Sequence, residues 1–177
     1  MAVVYSFAAS APLLFDLPHY WTKVGKKRRR KLDIPATLEL LAPYRGCTCA
    51  IERVGAMPGQ GTVSMFSFGQ TYGALLAILA SLDIPTHEVT PQAWKRHHGL
   101  IGQDKSAAVE LANKLYPTLH IPVTRDGRAD ALLIALYGLA ELGAPEGERT
   151  STTVGEAVGT TDGTYFIPST AALEAAA

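Results

Sequence analysis

Two apolar patterns alternate along this chain, and each predicts a different element. Short apolar runs bounded by turn residues read as strands: "AVVYSF" and "PLLFDL" near the start, "TCAIER" ending on Glu52, and "THEV" after Pro85. Apolar residues at steps of three and four read as helices. The longest spans Val63 to Leu82, with Met65, Phe68, Tyr72, Leu75, Leu76, Leu79 and Leu82 as its stripe. A shorter helix begins near Pro35 with Leu38, Leu40 and Leu41. Another, "TPQAWKRHHGL", places Pro91 in its first turn, where a missing N–H breaks no bond. "QDKSAAVELANKLYP" is capped by Asp104 and stopped by Pro117, and a last helix runs from Asp126 to Leu142 before Gly143. Strands that precede and alternate with helices predict an α/β fold, a mixed sheet flanked by helices.

Composition sets the boundaries. At 177 residues and 47% hydrophobic, the chain suits one domain plus a tail. Residues 1–143 read as the domain. Residues 144–177 are rich in Gly, Thr, Ser, Ala and acids with no sustained period, and read as a disordered tail. The longest apolar run, "YGALLAILASL", is too short to span a bilayer, so no membrane partner is expected. The N-terminus lacks the charged start of a secretory signal. Cys47 and Cys49 stand alone as C-x-C on a strand, without the further Cys or His of a zinc set, and read as free thiols in a reducing cytoplasm.

Charge changes the picture more. The net charge is zero, yet from Glu141 onward there are six acids and one base, leaving fifteen bases against ten acids before it. Six of those bases run together as Lys26, Lys27, Arg28, Arg29, Arg30 and Lys31. The run reads as a basic loop, which is either a solvated surface, a targeting signal or a grip on a polyanion. Candidate chemistry lies in three acids. Asp126 sits where a helix N-cap belongs and Asp130 one turn on; both suit the positive end of the helix dipole. Glu52 closes a buried strand before a glycine-rich loop, a common place for a functional side chain. Together the three carboxylates are costly unless protonated or neutralised by a cation. Hard oxygen ligands select Mg²⁺ or Mn²⁺, and a pair of such ions clamps the attacking and leaving oxygens of a phosphodiester.

The stretch "IERVGAMPGQGTVSMFSFGQTYGALLAILASLDIPTHEVTPQAWKRHHGL", with "DKSAAVELANKLYP" and "DGRADALLIALYG", closely resembles RuvC-type Holliday junction resolvases of phages and bacteria, within the ribonuclease H-like superfamily. The likeness runs from about Phe15 to about Leu139. It implies a crossover junction endonuclease in the bacterial or phage-infected host cytoplasm, acting in DNA recombination and repair as a homodimer that cuts four-way DNA with Mg²⁺ or Mn²⁺. Carried over by motif, the strand-end glutamate is Glu52 and the aspartate inside the last helix is Asp130. Asp126 matches a position held by Asp, His or Asn in relatives. Lys95 and Lys105 resemble basic residues that approach the scissile phosphate. One departure stands out. The family opens on a strand of the form I-D-P-G-x-S-G-A, which carries a metal-binding carboxylate and lies between the second and fourth strands of the sheet. Here "AVVYSF" matches the second strand, so the first reads as missing, two sheet edges are expected to lack a partner, and Asp16 is no substitute. Two other readings stay open: a junction-binding protein that does not cut, and a ribonuclease H-like nuclease for another substrate.

Overall fold

In the computed structural model, residues 2–6, 12–25, 27–56, 59–142 and 164–168 are described. The first strands, β1 (Ala2–Ser6) and β2 (Leu13–Phe15), pair antiparallel with Val3 opposite Leu14. Next come β3 (His19–Val24) and β4 (Lys27–Leu32), a separate two-stranded antiparallel hairpin. Helix α1 (Ile34–Leu41) starts at Asp33, whose carboxylate accepts the Ala36 N–H. Strand β5 (Thr48–Glu52) leads into α2 (Thr62–Ser81), then β6 (Thr86–Val89), α3 (Pro91–His97), α4 (Lys105–Leu115) and α5 (Asp126–Leu142). A last strand, β7 (Thr164–Pro168), completes the set.

The five-stranded sheet has the order β2-β1-β7-β5-β6. β7 lies antiparallel to β1 and parallel to β5, and β5 lies parallel to β6. Alternation along β5 sends successive side chains to opposite faces. Cys49 and Ile51 enter one core with Leu41 of α1 and Leu75, Ile78 and Leu79 of α2. Ala50 enters the other with Trp94 of α3, Val109 and Ala112 of α4, and the body of α5. The mixed α/β architecture with helices about a sheet is therefore as expected. Helix α5 is well enclosed, with Ala131 to Ala135 fully buried. Its alanines let it lie close to the sheet. His98, just past α3, ties it further by a 2.7 Å bond between Nε2 and the Leu133 carbonyl, and burial pushes the His98 pKa down.

Three expectations change. The basic run is not a loop. Lys27–Leu32 pairs residue by residue with His19–Val24, and Gly25 turns the hairpin at φ +61°, a conformation that suits glycine. A charge run has no apolar alternation of its own to announce a strand. The central place of the sheet is not empty either. Thr164–Pro168, from the segment expected to be a tail, takes it, so β1 and β5 both have a neighbour there; 143–163 and 169–177 lie outside the described residues. Finally, α2 is longer than its apolar run. By length and composition alone its 20 residues could cross a membrane, but Leu75 and Leu79 are fully buried against the sheet. The buried stripe also turns slightly from the expected one, through Ser67, Thr71, Leu75, Ile78 and Leu79.

Candidate carboxylate site and basic hairpin

Glu52 is set by β5. Two places after Ala50, its side chain points to the α5 side of the sheet, and it is only 4% exposed. A buried carboxylate needs hydrogen-bond partners. The Trp94 indole N–H supplies one, 2.8 Å from Glu52 Oε1. Trp94 sits in α3, a helix started by Thr90, whose hydroxyl accepts the Ala93 N–H, and by Pro91. The same indole carries the Lys95 ammonium 5.3 Å from its ring centre, so one side chain brings Lys95 and Glu52 into a single neighbourhood. Sequence reasoning missed Trp94. Its only signal was its place beside Lys95 in "TPQAWK", 42 residues from its partner.

The other two acids lie on α5. Asp126 is not an N-cap. It is the first helical residue, at φ −48° and ψ −39°, after a short turn over Val123–Arg125, and its carboxylate accepts the Gly127 N–H at 2.9 Å. Asp130 follows one turn later, and both are half-buried. Ala129 and Ala131, which flank Asp130, share a core with Trp94, so Glu52 and the first turns of α5 border the same interior. Among the described residues, however, no group of three or more His, Cys, Asp or Glu side chains is arranged to hold a metal ion.

Two further acids are engaged elsewhere. Asp16, after β2, accepts from Arg125 at 3.3 Å and Arg128 at 3.2 Å. It serves the start of α5 as a counter-charge. Glu88 stands opposite Ile51 in register and so faces α2, where the Tyr72 hydroxyl donates to it at 2.6 Å. Burial, helped by this bond, holds the Tyr72 phenol far above its ordinary value.

The hairpin gathers the positive charge. Tyr20, Trp21, Lys23 and Arg28 are exposed, and no acid occurs between Leu17 and Leu32. Lys31 anchors it by donating to Ser67 Oγ at 3.1 Å and Gln70 Oε1 at 3.2 Å on α2. Lys26 and the Lys27 side chain lie outside the described residues. Lys105 opens α4 on the surface, beside the Asp104 cap. No family model matches this chain, and no curated protein matches it.

Proposed function

We propose that the chain is a ribonuclease H-like protein of the RuvC resolvase type, which grips four-way DNA junctions as a homodimer and belongs to a Mg²⁺- or Mn²⁺-dependent endonuclease chemistry. The observation that carries this reading is the sheet order. The resemblance requires a strand between those matched by β1 and β5, and β7 has that position. Glu52 at the end of β5, facing α5, adds support, as does the acid-free basic hairpin.

β7 reaches that place from the other end of the chain, and its sequence, "TYFIP", brings no carboxylate. Glu52, Asp126 and Asp130 are the residues that would hold a hard divalent cation, yet they do not form a complete set among the described residues. Two-metal hydrolysis needs carboxylates on both sides of the ion pair. The chain should therefore bind junctions and cut them poorly. The second reading, a junction-binding protein that does not cut, is favoured by the same incomplete carboxylate set among the described residues.

The test uses a labelled four-way junction, a duplex of equal length and an RNA–DNA hybrid, each in Mg²⁺. Preferential junction binding with slow, paired nicking is expected. A form extended by an I-D-P-G-type strand should nick faster. Equal affinity for all three substrates would overturn the junction reading, and robust nicking by both forms would show that another residue completes the carboxylate set.

A further inference from the structure

The proposed function uses the charge of the hairpin and leaves its exposed indole, Trp21, without a role. Trp21 lies on β3 directly opposite Arg30, with Lys23 and Arg28 the next cross-strand pair on the same face. The Arg28 guanidinium carbon is 5.0 Å from the Trp21 ring centre and that of Arg30 is 5.9 Å. His19 meets the ring edge-on, with centroids 6.3 Å apart. The indole nevertheless keeps 55% of its surface open to solvent. Lys31, on the opposite face, is tied to α2, so the strand carrying Arg28 and Arg30 is held against the body of the protein.

We propose that Trp21 is a stacking platform for an unpaired nucleic-acid base, with Arg28 and Arg30 holding the phosphates on either side of it. Charge alone recognises a backbone; a flat π-face among cations recognises a base whose own neighbours have come apart. Every base has such a face, so the contact is tolerant of sequence and selective for unstacked sites. These occur at a branch point and in single strands, and are absent from an intact duplex. Stacked guanidinium groups also fix the indole on the strand, so little side-chain freedom is left to lose on binding. A lipid surface is the less suitable partner, because Trp21 is the only exposed large apolar side chain among the described residues of that face, Leu32 being buried. Interfacial anchoring requires a cluster of them.

The inference rests on the nucleic-acid reading above, and the experiment separates the two. Trp94 is buried, at 1% exposure, so a change in indole emission on adding DNA reports Trp21. Emission should be quenched by a single strand and by a four-way junction, and much less by blunt duplex. Trp21→Ala should weaken single-strand and junction binding by roughly 5- to 150-fold, the range of one base–aromatic stack, and leave the salt slope unchanged. Trp21→Phe should restore most of the affinity and abolish the quenching. Arg28→Ala with Arg30→Ala should instead flatten the log–log salt slope, by roughly 0.7 per phosphate contact on single strands. Wild-type affinity in Trp21→Ala, with the salt slope still sensitive to the arginines, would overturn the platform and leave the grip. Quenching by anionic phosphatidylserine vesicles but not by DNA would overturn it in favour of a membrane surface. No DNA binding by the unaltered chain would sink both proposals.

Discussion

At the scale of single residues, the pair that decides the character of the interior is Glu52 with Trp94. A carboxylate exposed by only 4% depends on its donors, and the indole N–H is a donor that phenylalanine lacks. Trp94→Phe preserves the ring and removes the bond. We expect a loss of about 1–3 kcal/mol, the cost of leaving a buried polar atom short of a partner, read as a lower urea midpoint. If the penalty arises from the carboxylate, it should shrink when Glu52→Leu is already present, because two apolar partners leave nothing unsatisfied. An equal loss in both backgrounds would mean that the indole acts through packing alone. The same bond gives Trp94 a positioning role for Glu52, which the three-acid pattern did not suggest.

At the scale of elements, the hairpin and β7 carry the most weight. β3 and β4 consist largely of charged and aromatic residues, and isolated two-stranded hairpins are marginal in water. Lys31 on Ser67 and Gln70, with Leu17 and Leu32 buried beneath, supplies the missing support. β7 contributes in the opposite sense, as a strand that supports others. Its pairing with β1 extends from Ala2 opposite Pro168 to Ser6 opposite Thr164. Without it, β1 and β5 would each show a row of unpaired N–H and C=O groups. A chain ending at residue 163 should therefore be less stable by several kcal/mol, with faster amide exchange in β5, since roughly 1 kcal/mol accompanies each net hydrogen bond. A peptide covering 164–177, added in trans, should restore part of both. Unchanged exchange in the shortened chain would show that the sheet does not depend on β7.

At the scale of the whole molecule, α2 is apolar on two sides. One side is in the core, while on the other Val63 and Phe66 are 60% and 69% exposed. A helix apolar all round is usually covered on all sides. Added Cβ atoms at Gly69 and Gly73 would meet nothing within 4 Å, so the domain's own packing does not need these glycines. The proposed homodimer, which paired nicks would require, would cover this face and account for both features. Sedimentation at tens of micromolar should show a dimer, and Phe66→Glu should shift it to monomer with little effect on thermal stability. A monomer of the unaltered chain, alone and with junction DNA, would rule the pairing out.

Much of this protein was legible without coordinates because helices announce themselves locally. Asp33, Thr90 and Asp104 cap where a capping residue stands before a periodic run, and α2 and α5 fall within a residue or so of their predicted ends. Bonds within a few residues of each other are written in a few residues. β5 was equally clear, as a short apolar run ending on Glu52. Three things were decided only by the tertiary structure: the pairing of a charge run with an aromatic strand, the bond from Trp94 to Glu52 across 42 residues, and the insertion of β7 between β1 and β5. Strand period says which side chains share a face, but not which strand lies alongside. That choice depends on the surface the rest of the fold leaves uncovered, and such a surface does not exist until the chain has folded.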